Sequence, residues 1–299
     1  MSVRRYIHTS NEIEALWNWL GYLGSSDNAK DLLLRKIRSD NFGIDCLTLL
    51  HKKAEAMNLG KHSSVFSIIT EDVVERNAQG IARFIVQARQ LFHAARNVSE
   101  IASPILYYYG MLSLAEALIL SIYDFTQSSK KDKRFYTHGL SINRDTYDDL
   151  TVKPLGHYAR LHDCYSIDPE LYLNEPRFSL KELLSVNPDL AEEYRLVYGE
   201  EPRIKAAVLT HIDVDLAEYE VLPINGQRLD HIDSIFLTMF ILCSKARYRP
   251  VDWIEQAASR RDSFILRSFL TKAERRYPNL ILNRIWNEVF LFGPAARWG

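Results

Sequence analysis

Cysteine, glycine and proline are all scarce in this chain of 299 residues. The three cysteines, Cys46, Cys164 and Cys243, form no Cys-x-x-Cys pair, which argues against a disulfide scaffold, a zinc ribbon and a thioredoxin-like redox site. The 12 glycines and 10 prolines are too few for a linker-rich or collagen-like chain. Cys243 lies in an apolar run, where a thiol packs as a small hydrophobic side chain.

An excess of charge of one sign is also missing. Lys and Arg total 37, Asp and Glu total 38, and the formal net charge is -1. A chain this close to neutral has no overall field to attract it to nucleic acid or to an acidic membrane. Hydrophobic residues make up 47% and charged residues 25%, as in a soluble globular protein with one large core or two modest domains.

Several common motifs are absent as well. The sequence contains no G-x-G-x-x-G, no phosphate-binding P-loop and no G-x-S-x-G turn. It therefore gives no support to classical nucleotide hydrolysis, dinucleotide chemistry or α/β-hydrolase chemistry, and we expect no cofactor. The N-terminal segment has no apolar stretch before a cleavage site, so we expect no signal peptide and a cytoplasmic protein.

One apolar run is long enough to cross a membrane. Residues 101–123 are almost continuously apolar or aromatic, with Glu116 as the single charge. Glu116, the three consecutive tyrosines at 107–109 and the lack of a second spanning segment favour a buried central helix instead. The run 235–243 is too short to span a membrane, and we interpret it as a second core helix beside the first.

Helix signals dominate both ends of the chain, and alternating patterns fill the middle. Helices are predicted at 12–20 (after a Thr9–Glu12 capping box), 31–38, 45–57, 71–95, 103–120, 230–246, 251–258, 263–275 and 280–290, with Pro250 and Pro278 as breaks. Short helices are predicted at 180–184 and 191–194, and strands at 158–164, 203–213 and 219–224. The predicted fold is α+β, predominantly α-helical, with a small β insert in the middle third.

Three strings of residues carry a family resemblance. They are Ser103-Pro104-Ile105-Leu106-Tyr107-Tyr108-Tyr109-Gly110-Met111-Leu112, Thr137-His138-Gly139-Leu140, and Ser244-Lys245-Ala246-Arg247-Tyr248-Arg249-Pro250 with Trp253 beyond. Their order and spacing resemble the YaaC-like family over about residues 80–290. The resemblance implies a bacterial, cytoplasmic, helical protein and supplies no catalytic residue. It divides the chain into a variable helical part, 1–70, and a YaaC-like domain, 71–299, with the β insert at about 138–225.

Two of these strings contain candidate ligand-binding residues. Gly139 lets backbone approach closely, which suits a contact of His138 with a phosphate; the simpler interpretation is that His138 ties a turn to the core. Arg247 and Tyr248 end a core helix, where Arg247 either caps the helix or grips a phosphate or carboxylate. If His138 and Arg247 converge, ligand binding becomes the better interpretation for both, with Arg144 or Arg89 as a further contact.

Glu116 and a basic stripe on the long helix 71–95 are further candidates. A buried carboxylate needs a partner, and we expect Arg89 or Arg96 to pair with Glu116, structurally rather than catalytically. Arg89, His93 and Arg96 follow helical spacing, but the gap between Arg89 and His93 is too short for the motif of HEPN-class ribonucleases. We interpret this stripe as a solvated or partner-facing surface.

Two remaining features bear on metal binding and on interfaces. His157, His162 and Cys164 come nearest to a metal-ligand set, but no fourth ligand follows at a standard spacing, and we expect no metal site. The C-terminal segment from Trp286 to Trp298 is unusually aromatic, so it packs into its own core or against another chain. Of these two arrangements, we favour the first.

Two functions follow from these observations. The preferred hypothesis is a helical interaction or accessory subunit that associates with itself or with another protein. The alternative is an enzyme or binding protein for a phosphate-bearing ligand, a nucleotide or RNA, such as a degenerate HEPN-type ribonuclease. For the alternative to hold, His138 and Arg247 must lie close enough to contact one ligand together.

Overall fold

A computed structural model describes residues 3–38, 71–122, 137–166, 174–206 and 219–294. Within these ranges the helices are α1 (Glu12–Tyr22), α2 (Ser26–Arg38), α3 (Glu71–Arg96), α4 (Ser103–Ile122), α5 (His157–Asp163), α6 (Leu180–Ser185), α7 (Ala191–Tyr198), α8 (His231–Tyr248), α9 (Pro250–Ala258) and α10 (Arg260–Trp286). The strands are β1 (Val3–His8), β2 (Leu140–Ile142), β3 (Asp149–Val152), β4 (Arg177–Ser179), β5 (Ile204–Ala206), β6 (Tyr219–Val221) and β7 (Glu288–Gly293). The predicted α+β class, predominantly helical, is confirmed.

Capping side chains explain where several helices begin. Ser103 and Pro104 open α4, as predicted, because proline has no N–H to leave unpaired in the first turn. Asp230 caps α8 in a capping box with Asp233. At α1 the cap is Asn11, whose side chain accepts from the Glu14 N–H, and not the predicted Thr9. At α1 and α8 a short polar side chain therefore sets the helix start.

The apolar helix α4 lies at the centre of the molecule. It is long and apolar enough to cross a membrane, but 61% of its most apolar window is buried inside the protein. It packs against α3, α5, α8 and α10. The Tyr108 ring lies 5.5 Å from the Phe236 ring and 5.6 Å from the Phe240 ring of α8. The predicted side-by-side packing of the two apolar helices is confirmed.

The strands form three small sheets. β2, β3 and β4 make an antiparallel sheet in the order β2-β3-β4, and β5 pairs with β6 in antiparallel fashion. β1 and β7 run parallel, with Val3 opposite Glu288 and His8 opposite Gly293. This last pair joins the two ends of the described chain, so residues 3–38 belong to the same body as the rest.

The aromatic residues of the C-terminal segment, as far as they are described, pack into the core of their own chain, which is the arrangement that we favoured from the sequence. Phe290 in β7 is completely buried, and its ring lies 5.0 Å from the Trp19 ring of α1. Trp286 contacts the same two rings, at 6.2 Å and 6.0 Å. Trp298 lies outside the described residues, as does the predicted helix 45–57.

The predicted strand at 158–164 is wrong, because this segment is helix α5. Its residues from Tyr158 to Asp163 are all buried. A helix that is buried on every side has no solvent-facing polar side, so its sequence does not show a hydrophobic period of 3.6 residues. The chance alternation of its residue types then resembles the pattern of a strand. Of the other predicted strands, β5 and β6 confirm parts of 203–213 and 219–224.

The predicted break at Pro278 is also wrong. α10 runs without interruption from Arg260 to Trp286 with Pro278 inside it. An internal proline costs about 3 kcal/mol, but burial of the side chains on both sides of it offsets that cost. Tyr277, Ile281 and Ile285 are completely buried in the common core. The residues at 288–290, predicted as helix, begin β7 instead.

Candidate functional site

Two glycines place His138 against helix α5. Gly139 and Gly156 adopt φ values of +72° and +125°, which other residues rarely adopt. A Cβ on Gly156 would lie 2.4 Å from the Gly139 nitrogen, so only glycine permits this crossing. The N–H of Tyr158 donates to the His138 carbonyl at 3.1 Å, and the N–H of Lys153 donates to the Gly139 carbonyl at 2.8 Å. The crossing thereby fixes the backbone of the Thr137–Leu140 string.

The imidazole of His138 bonds to the central helix. Its Nδ1 lies 2.9 Å from the hydroxyl of Tyr108. Burial raises the pKa of Tyr108 well above its ordinary value, so this phenol keeps its proton. Burial also lowers the pKa of His138, as do the nearby charges of His157 and Arg247. His138 is therefore neutral near pH 7; with the phenol donating to Nδ1, its own proton lies on Nε2.

Arg247 reaches the same region from the last turn of α8. Its Nη1 donates to the hydroxyl of Tyr109 at 3.0 Å, next to Tyr108 in the chain. Its guanidinium carbon lies 5.0 Å from the centre of the Tyr248 ring. The C-terminal cap of α8 is made by Arg249, whose N–H donates to the Lys245 carbonyl. Arg247 therefore contacts the tyrosines. The capping role that we had considered for Arg247 belongs to Arg249.

These groups surround one pocket of about 530 Å³ between α4, α8 and the β2–β3 hairpin. The lining residues are Tyr108, Tyr109, His138, Leu140, Ser141, Ile142, Arg144, Tyr147, Phe240, Cys243, Ser244, Arg247 and Tyr248. All three family-like strings contribute to this lining. In the described part of the chain no carboxylate lines the pocket, whereas Arg144 and Arg247 do. The arrangement is a cationic pocket with tyrosine walls.

Glu116 lies behind this pocket with different partners from those expected. Its carboxylate bonds to Nδ1 of His157 and lies 3.7 Å from the guanidinium of Arg160. Burial alone would raise the pKa of Glu116, but His157 and Arg160 hold it below its ordinary value. The predicted pairing with Arg89 or Arg96 is therefore wrong: α5, read as a strand from the sequence, supplies both partners. Glu116 thus belongs to a buried ion pair whose partners both come from α5.

The basic stripe of α3 lies elsewhere. Arg89, His93 and Arg96 line a separate groove of about 680 Å³ between α1 and α3, together with Glu14 and Trp17. Arg96 forms an ion pair with Glu274 of α10. The pocket therefore brings together four of the predicted ligand contacts: His138, Arg144, Arg247 and Tyr248. Gly139 lies beside them at the backbone crossing, and Arg89 lies in the separate groove.

His157, His162 and Cys164, the residues nearest to a metal-ligand set in the sequence, contact three different partners. His157 bonds to Glu116, the His162 ring lies 3.2 Å from the Asp233 carboxylate, and the Cys164 thiol donates to the Arg160 carbonyl. Within the described ranges, no group of three or more such residues is placed to hold a metal ion.

The sequence interpretation missed a buried cluster around Asp233. This carboxylate accepts from the hydroxyls of Tyr158 and Tyr165, and also from the N–H of Asp230 in the capping box of α8. Burial alone would raise the pKa of Asp233, but His162 and the two tyrosines hold it below its ordinary value. A signal existed, because an aspartate three residues after an N-cap aspartate suggests a capping box. The pocket residues Tyr108, Tyr109 and Tyr147 were also not named as contacts.

Together, fold and pocket define a predominantly helical α+β protein with a tyrosine-walled cationic pocket at its central helix. The chain belongs to the YaaC-like protein family: the family model matches residues 48–220 and 212–285, more than half of the chain. The match contains all three strings and begins at residue 48, inside the segment predicted to be variable. No curated protein and no solved structure matches the chain.

Proposed function

We propose that the pocket binds a small ligand through a phosphate group. The observation that carries this proposal is the presence of Arg144, His138 and Arg247 in one pocket whose described lining has no carboxylate. Arginine offers a planar fork of donors that matches phosphate oxygens. A neutral His138 with its proton on Nε2 adds a donor that does not depend on protonation near neutral pH.

The surroundings of the two arginines support the same function. Arg144 and Arg247 are exposed at the mouth of the pocket, so they are accessible to a ligand from solvent. Arg247 is held by the Tyr109 hydroxyl and the Tyr248 ring, and not by a carboxylate of the described lining. Among the described residues its positive charge is therefore positioned without being paired, which is what recognition of an anion requires.

Titration with inorganic phosphate, followed by calorimetry, tests this function. A charge-assisted hydrogen bond contributes about 1.5–3 kcal/mol, so Arg247→Gln is expected to weaken phosphate binding by about tenfold or more. The matched control is Arg267→Gln, because Arg267 is also an exposed arginine but pairs with Glu100 outside the pocket. Equal losses in both variants would indicate non-specific attraction and contradict the proposal.

A second candidate function is the interaction subunit preferred from the sequence. Its support is a group of exposed apolar side chains: Val251 and Ile254, 64% and 45% exposed, lie three residues apart on α9, and Phe264 in α10 is 48% exposed. Either function suits a cytoplasmic bacterial protein, and the burial of α4 supports a soluble chain.

Measurement of the mass in solution across concentrations tests this second function. A self-associating protein is expected to become monomeric when Ile254 is changed to Asp, and to stay associated when the exposed Val86 of α3 is changed to Asp. A wild-type protein that is monomeric at every concentration would contradict self-association.

A further inference from the structure

An apolar part of the pocket surface is unsuited to phosphate. Phe240 and Cys243 of α8 are 8% and 5% exposed and face the pocket beside Leu140 and Ile142 of β2. A ligand consisting of phosphate alone would leave these apolar groups facing water. A ligand that also carries an apolar body would cover them, as in most small-molecule sites, where apolar walls surround a few polar contacts.

The rim of the pocket offers flat aromatic surfaces. Tyr248 is 54% exposed, and its ring centre lies 6.3 Å from that of Tyr147 on the facing hairpin. Arg247 lies over the Tyr248 ring, and Arg249 lies over the Tyr147 ring at 5.5 Å. Each arginine covers one face of its ring through a cation–π contact. Nucleobases stack on exposed aromatic side chains such as Tyr248.

Resting on the proposed function, we infer that the ligand is a mononucleotide: its phosphate binds between Arg144 and Arg247, with His138 as a further donor, and its base packs on Tyr248 above the Phe240 floor. The volume of about 530 Å³ lies within the range of about 300–1,000 Å³ typical of small-ligand pockets. One site then uses both its cationic and its aromatic sides.

The surroundings favour a mononucleotide over RNA. The turn beside the pocket carries Asp145, which repels the next phosphates of a polymer, whereas Asp148 is already paired with Lys245. Single-stranded nucleic acid needs a continuous basic track along its backbone. Here the described lining contributes two arginines, and the whole chain has a net charge of -1. A ligand with one phosphate cluster satisfies these charges, and a polyanion does not.

A four-probe titration of the full chain tests the inference. The probes are inorganic phosphate, the four ribonucleosides, their 5′-monophosphates and a ten-nucleotide single-stranded RNA of mixed sequence. At least one monophosphate is expected to bind about tenfold or more tighter than both phosphate and its own nucleoside. Phosphate binding equal to that of every monophosphate would overturn the inference while leaving the proposed function intact. Absence of binding by phosphate and by every monophosphate would overturn both.

The RNA probe and three variants make the test specific. Tighter binding of the RNA than of any monophosphate, with a steep dependence on salt, would overturn the inference in favour of a polymer. Tyr248→Ala is expected to lower the ratio of monophosphate to phosphate affinity by about tenfold, the effect of losing one stacking contact. Tyr248→Phe keeps the ring and should preserve the ratio. Tyr22→Ala, a tyrosine 41% exposed outside the pocket, should also preserve it, and an equal loss there would count against stacking at Tyr248.

Discussion

The pocket and the groove between α1 and α3 both contain arginines, but they differ in the charges around them. In the groove, Glu14 shares the lining with the basic residues, and Glu274 pairs with Arg96. In the pocket, Arg144 and Arg247 line a wall on which the described residues place no carboxylate. The groove is the larger of the two, at about 680 Å³ against 530 Å³. Neither size nor the number of cations defines an anion site; uncompensated cations do.

The two regions also differ in what lies behind them. The pocket rests on the Gly139–Gly156 crossing and on the buried pair of Glu116 and His157. The groove lies between two helices whose polar contacts are close to solvent. Substitutions behind the pocket should therefore cost more stability than substitutions behind the groove.

The largest effect is expected from Gly156→Ala. The added Cβ would meet the Gly139 backbone at 2.4 Å, so the crossing cannot persist and we expect a loss of about 3 kcal/mol or more. Gly199→Ala is the control, since Gly199 also has a positive φ but no atom lies within 4 Å of its added Cβ. We expect that control to cost about 1 kcal/mol. Denaturant unfolding measures both, and similar costs would show that the crossing does not hold the pocket.

Glu116→Gln is expected to destabilise the protein by about 2–3 kcal/mol at pH 7, because it breaks a buried charged pair. Glu274→Gln, behind the groove, is expected to cost about 0.5–1 kcal/mol. Since the pKa of Glu116 is lower than its ordinary value, its contribution is present above that value and is lost as the pH falls through the folded-state pKa. The difference between wild type and Glu116→Gln should therefore shrink below about pH 4, and a constant difference from pH 7 to pH 3 would contradict the pairing.

Local signals in the sequence predicted much of the helical framework. Asp230 marks a helix start by hydrogen bonding within one turn, and Pro104 marks one because it lacks an N–H, so both can be recognised without tertiary structure. The pocket residues were recognised in part, because His138 and Arg247 stand in distinctive strings.

The convergence of His138 and Arg247, and the partner of Glu116, could not be predicted from local signals. Both depend on Gly139 meeting Gly156 and on α5 being a helix, and a seven-residue helix buried on all sides carries no periodic signal. Pro278 misled for a similar reason: core burial along α10 outweighs a local preference. Tertiary contacts decided each of these features.

Arg144→Gln should weaken phosphate binding by about fivefold, less than Arg247→Gln, because no described contact holds Arg144 as Tyr109 holds Arg247. Unfolding should be unaffected within about 0.5 kcal/mol, as for most exposed substitutions. Calorimetry with phosphate measures the first effect and thermal unfolding the second. A larger loss for Arg144→Gln than for Arg247→Gln would reverse the assigned order of the two arginines.

The smallest effect is expected in the groove. Arg89→Gln should leave phosphate affinity within twofold of wild type. Arg89 lines the groove together with Glu14, and this groove is separate from the pocket. The same titration as for the pocket variants measures this. A loss as large as that of Arg247→Gln would place the anion site in the groove.

The most direct test is to follow the imidazole resonances of His138 and His93 by NMR while inorganic phosphate is added. His138 lies in the pocket and His93 in the groove, so one titration reports on both regions of the same molecule. We expect a saturable shift of the His138 resonances and none at His93. A saturable shift at His93 with His138 unchanged would contradict it.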